Sequence, residues 1–236
     1  MILALLLFGC KKDKENTPSN PVPTNPALNV SINFKVDQQP LIYDSILYVN
    51  EAGNPYSVTR CQFYLSQIKL IREDSQTVDL KAWHYVDANV SSTCHINSSE
   101  IPEGNYIGMS FNMGLDATLN VPDGLPATSE NLGMEWPVAM GGGYHFLKLE
   151  GKFTDSPNEY GYAMHLGMNM TLCPVTVYGN FCVGTGCTNP NLVMNINEWF
   201  RNPNTYDFNV DGNYIMGDMT NMMKISQNGV DVFTVE

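Results

Sequence analysis

From residue 29 onward the chain is written as short apolar–polar alternations cut by Gly, Pro and Asn. A period of two over five to ten residues is the signature of half-buried strands, and it leaves little room for helices. Val30, Ile32, Phe34 and Val36 fall on one side of the first such segment. Ile107, Met109, Phe111 and Met113 do the same in residues 105–113. Residues 144–153, 160–170, 172–178, 192–196 and 230–235 read as further strands. Residues 61–71 keep one phase through Leu65 and then shift at Ser66-Gln67, which predicts a bulge or bend. One helix is expected over residues 218–227, with Asp218 as cap, Met219, Met222 and Met223 on one stripe, and Asn228-Gly229 as stop. The expected class is all-β: an antiparallel β-sandwich or barrel-like domain with one or two short helices.

The head of the chain has a different grammar. Residues 2–8 are a short apolar run followed by Gly9 and Cys10. The run is too short to span a bilayer and reads as the end of a secretory signal. Leu7-Phe8-Gly9-Cys10 resembles a lipobox, in which Cys10 becomes the lipidated first residue. The usual basic n-region is missing, so the signal reads as truncated. Residues 11–28 begin Lys-Lys-Asp-Lys-Glu and continue in Pro, Asn, Thr and Ser, a flexible tether. The expected order is therefore a signal over residues 1–10, a tether over 11–28 and one β domain over 29–236. The expected location is the cell envelope, at the outer membrane, periplasmic face or cell surface, with the lipid as the sole membrane anchor.

Composition narrows the function. The net charge of -12 would repel a phosphate backbone, which disfavours nucleic acid, but it tolerates a cation. Five cysteines remain beyond Cys10, and in an oxidising compartment most should pair. Proximity along the chain suggests Cys61 with Cys94 and Cys182 with Cys187. The latter spacing would also suit metal thiolates. No nucleophile elbow, P-loop, dinucleotide fingerprint or His-Glu-x-x-His is present, so no case for an enzyme arises.

Only four histidines are available: His84, His95, His145 and His165. As a strand, residues 160–170 place His165 on a face with Gly161, Ala163 and Gly167, where small neighbours leave room around an imidazole. Imidazole suits copper; a histidine bonded to neighbouring backbone is the plainer alternative. His84 precedes Asp87 by three, a carboxylate able to orient its ring from a bend, and Trp83 is adjacent. His145 shares parity with Leu147 and Leu149, which favours a buried, hydrogen-bonded ring unless it faces His165 across paired strands. His95 lies in a polar segment and is expected to be exposed. Met164, Met168 and Met170 are soft donors that suit Cu(I), although core filling accounts for them as well. Asp207, Asn209, Asp211 and Asp218 match a Ca²⁺ loop at several positions, but strand-like flanks favour an Asx-rich turn.

Phe63-Tyr64-Leu65-Ser66-Gln67-Ile68, His84-Tyr85-Val86-Asp87 and the Met113-Gly114-Leu115-Asp116 ending resemble the MbnP-like family. So do Met134-Glu135-Trp136-Pro137, the run from Gly143 to Gly151, His165-Leu166-Gly167 and the C-terminal Asn228-Gly229-Val230-Asp231. The resemblance implies an all-β fold and a single copper ion held by two histidines and a tryptophan oxidised to kynurenine. It also implies a di-haem peroxidase-like partner associated with that oxidation. Carried over segment by segment, the ligands are His84 and His165, with His145 as an additional candidate. Trp136 lies in the best-matching segment and Trp83 beside a ligand, and the choice between them stays open. The chain is richer in Cys and Met than the family would lead one to expect. The expected function is copper binding for uptake, storage or delivery. The alternatives are a surface-exposed β-sandwich that binds a glycan or protein partner through aromatics around Trp136 and Trp199, and a redox enzyme using the same copper.

Overall fold

The computed structural model describes residues 27–236. The lipobox with Cys10 and nearly all of the tether lie outside the described residues. Thirteen strands follow in order: β1 (Leu28–Val36), β2 (Gln39–Pro40), β3 (Tyr48–Val49), β4 (Pro55–Tyr56), β5 (Arg60–Arg72) and β6 (Thr77–Asp87). Then come β7 (His95–Ser98), β8 (Gly104–Met113), β9 (His145–Asp155), β10 (Asn158–Gly167), β11 (Cys173–Val183), β12 (Asn191–Asn195) and β13 (Phe233–Val235). Two α-helices interrupt them, α1 (Ser129–Gly133) and α2 (Met219–Asn228). The all-β class expected from the alternation is the class observed. No helix among the described residues is long and apolar enough to cross a membrane.

The strands form two sheets. The smaller runs β13-β12-β1-β2, with β7 also on β1. The larger runs β11-β8-β5-β9-β4-β3, with β10 on β9 and β6 on β5. Phe34 and Phe233 of the smaller sheet meet Phe63 and Phe111 of the larger, at ring separations of 5.2–6.2 Å. These edge-on aromatic contacts join the two sheets within one shared core. One pair departs from the expected antiparallel arrangement: β1 runs parallel to β12, with Ile32 opposite Leu192. Parallel neighbours need a long crossover, and here the whole larger sheet supplies it.

Two local features set up the functional face. The phase shift at Ser66-Gln67 is a real irregularity: Gln67 has a φ of 51° and the pairing slips on both sides of β5. One edge of β5 is shared end to end, Arg60–Phe63 pairing with β9 and Leu65–Arg72 with β8. Phe146 fills the fork between them against Gly114, where an added Cβ would come within 2.6 Å of the ring. The helix at 218–227 forms as expected, with Asp218 accepting from the Asn221 amide, but its buried stripe is Met222, Ile225 and Ser226.

Cys182 and Cys187 form a disulfide, as their proximity suggested. The other suggested pair does not form: Cys61 and Cys94 are free and buried, as is Cys173. Cys94 instead turns its thiol to the carbonyls of Asp87 and Val90. Met164 is core filling, whereas Met170 is exposed.

Candidate metal centre

The β9–β10 hairpin positions the histidines. His165 lies directly opposite Lys148, and that row continues through Gln62 on β5 to Asp87 on β6. Residues facing one another across a ladder share a face, so all four look out on the same side. Strict alternation would put His145 on the other side, with Leu147 and Leu149. A bulge prevents this. Leu166 pairs with Leu147 but Gly167 pairs with His145, so Phe146 is an extra residue in β9. Such an insertion re-aims the side chain beside it. The His145 and His165 rings consequently stand edge to face, with centroids 5.0 Å apart.

Trp136 completes the cluster. Gly141, Gly142 and Gly143 all have positive φ, between 70° and 109°, and this run turns the chain back on itself. Trp136 N–H then donates to Gly143 O, and His145 N–H donates to Met134 O at 2.7 Å. The indole is buried at 1% exposure, 4.7 Å from the His145 ring between centroids. It rests directly on Gly167, where an added Cβ would lie 2.4 Å from the six-membered ring. Its Nε1–H has no partner, so a buried donor is left unsatisfied in the indole that packs on His145.

The hydrogen bonds fix the protons. Nδ1 of His145 stands 3.1 Å from Met134 O. A carbonyl only accepts, so Nδ1 carries the proton and Nε2 keeps a lone pair. Burial, then the Lys148 charge, hold the His145 pKa down to about 4, so the ring is neutral at pH 7. Nε2 of His165 stands 2.8 Å from Glu150 Oε1. The hydrogen bond from His165 and the charge of Arg60 hold the Glu150 carboxyl below its ordinary range despite burial. Arg60 Nη1 reaches the same oxygen at 3.0 Å.

Imidazole nitrogens bind first-row metals at ~2.0 Å, so two rings sharing an ion keep their centroids within ~6 Å. The observed 5.0 Å fits. Among the described residues, no three His, Cys, Asp or Glu side chains form a ligand set by themselves. A cation held here would need donors beyond these two rings. Imidazole nitrogens beside a buried indole suit a borderline or soft ion such as copper better than a hard one.

The other sequence candidates lie elsewhere. His84 pairs with Leu65 and so faces the core side of the sheet, opposite to His165. It is also three strands from β10, roughly 14 Å across the ladder, too far to share an ion with His165. Both of its nitrogens are engaged, Nε2 with Thr93 O at 2.8 Å and Nδ1 with Lys81 Nζ at 2.9 Å. Asp87 does not orient it, accepting instead from Gln62. Trp83 is half-buried against Tyr64 and borders an open groove of ≈ 600 Å³ with Tyr85, Pro126 and Glu130. His95 is exposed, as expected. Trp199 is fully buried, like Trp136, so neither presents its ring to a glycan at the surface. In the 207–218 segment, Asp207 accepts from Asn54 and from the Asn209 amide, Asp211 pairs with Lys224, and Asp218 caps α2. That is the Asx-rich turn, its carboxylates already partnered. Sequence parity favoured a core-facing His145 and left its approach to His165 across paired strands as the exception; nothing local announces the bulge that makes the exception hold.

Among solved structures, MbnP from Methylosinus trichosporium is similar in fold, with a TM-score of 0.54 and 13% identity over 76% of this chain and 78% of that one. No curated protein matches the chain. The MbnP family model matches residues 25–222, which take in every strand but β13, the histidine pair and Trp136. The chain belongs to the MbnP family.

Proposed function

We propose that this chain binds a single copper ion between His145 and His165, beside Trp136, and serves copper uptake, storage or delivery rather than catalysis. The observation that carries the reading is the convergence of those three rings on one face of the sheet, with Nδ1 of His145 and Nε2 of His165 hydrogen-bonded away and a buried indole N–H unsatisfied. Family membership supports it, since the family resemblance implies a copper held by two histidines and an oxidised tryptophan. Trp136 is the tryptophan placed to serve, because Trp83 and Trp199 do not adjoin the pair. An altered Trp136 would supply the missing donor, and its oxidation would call for an oxidising haem partner. The lipobox at Cys10 and the tether support an envelope location with a lipid anchor.

The test is metal analysis of the full chain, purified from an oxidising compartment supplied with Cu, Zn and Ca, beside His145→Ala, His165→Ala and His84→Ala. About one copper per chain, lost in the first two variants and kept in His84→Ala, is expected. Copper that persists in both His145→Ala and His165→Ala would overturn the assignment.

A further inference from the structure

Resting on that copper reading and deepening it, the geometry points to one donor atom on each ring, Nε2 of His145 and Nδ1 of His165, with Glu150 and Arg60 as positioning residues that select the second. A neutral imidazole has one N–H and one lone pair, and only the lone pair binds a metal. The nitrogen committed to donating a hydrogen bond is thereby removed from the ligand set. Met134 O commits Nδ1 of His145. Glu150 Oε1 commits Nε2 of His165. The pair is thus unlike, one ring binding through each kind of nitrogen.

The brace on His165 spans three strands. Glu150 lies opposite Arg60 on one side and Ala163 on the other. His165, two residues beyond Ala163 on the same face, is the diagonal neighbour of Glu150 and within its reach. Arg60 holds the carboxylate from the far side, so the acceptor stays put when the ring moves. Ala163 and Gly167, its nearest neighbours along that face, add little side chain, so beyond the edge of the His145 ring its orientation falls to the carboxylate. A carboxylate that grips the remote N–H of a ligand histidine fixes its tautomer and strengthens its lone pair, and loss of such a partner typically costs 10–100-fold in metal affinity. Glu150 therefore orients a ligand and is not one.

The experiment is long-range ¹H–¹⁵N NMR of the histidine rings in the full chain, first metal-free and then with Cu(I) added anaerobically as its acetonitrile complex. Metal-free, His165 should show its proton on Nε2 and His145 on Nδ1. With Cu(I), the other nitrogen of each ring should shift while those protons remain. Glu150→Ala should scramble the His165 tautomer and weaken Cu(I) binding 10–100-fold. Glu150→Gln, whose carboxamide oxygen still accepts, should restore the tautomer and part of the affinity. Metal-free His165 protonated on Nδ1 would overturn the inference, as would a Cu(I)-induced loss of its Nε2 proton. Unchanged affinity and tautomer in Glu150→Ala would do the same. Cu(I) bound through the opposite nitrogens would leave the copper reading standing and sink only this one, whereas no bound copper would sink both.

Discussion

Gly167→Ala is the sharpest steric probe of the centre. Gly167 is not among the residues with positive φ, so alanine meets no backbone objection there, and only space is at issue. Its Cβ would lie 2.4, 2.7 and 2.8 Å from three carbons of the Trp136 ring. Ordinary contact begins near 3.4 Å, so the indole must retreat by about 1 Å. It has nowhere loose to go, being 1% exposed and backed by His145. Overpacking of this kind costs about 1–3 kcal/mol. In a chain of this size each kcal/mol lowers Tm by about 2–4 °C, giving a fall of about 2–12 °C. Near-ultraviolet circular dichroism during thermal unfolding would follow it. Gly133→Ala is the control, since nothing lies within 4 Å of its added Cβ, and it should be neutral or slightly stabilising. Trp136→Leu removes the obstacle, so the double variant should lose less than the sum of the singles by about 1 kcal/mol or more. A Gly167→Ala Tm within about 1 °C of the parent, or strict additivity in the cycle, would refute the packing argument.

Two further expectations concern groups outside the centre. Burial, reinforced by Lys81, holds the His84 pKa down to about 4. The unfolded chain takes up that proton first, near pH 6.5, so stability should decline as pH falls from about 6.5 to 4 and level off below. His84 supplies at most about 3 kcal/mol of that fall. Urea unfolding of His84→Gln at pH 7, 5.5 and 4.5 should show a shallower loss, and an unchanged slope would count against the buried-neutral histidine. Alkylation of the denatured chain without reductant should label Cys61, Cys94 and Cys173 but spare Cys182 and Cys187. Breaking that short loop with Cys182→Ser should cost about 2 kcal/mol on the chain-entropy model, and labelling of Cys182 in the unreduced parent would contradict the pairing.

How far the sequence reached follows from what is local. Alternation is local, so β1, β8 and the hairpin strands could be read directly, and even the slip at Ser66-Gln67 showed as a change of phase. Helix capping is local as well, and Asp218 opened α2 as its chemistry required. Pairing is not local. Nothing near Leu28 or Asn191 says that these strands run side by side and parallel, with the whole larger sheet between them. The centre depends on two facts of that second kind. His165 could be placed on the roomy face from Gly161, Ala163 and Gly167 alone, but its partner could not be chosen, because parity sent His145 to the core and a single extra residue, Phe146, brings it back. The same parity, undisturbed on β6, leaves His84 on the far side of the sheet, where Lys81 and Thr93 engage both nitrogens. The bulge that takes up Phe146 thus decides which histidine His165 can share an ion with: were Phe146 to pair in register instead, strict alternation would return His145 to the side of Leu147 and Leu149 without changing any proposed ligand.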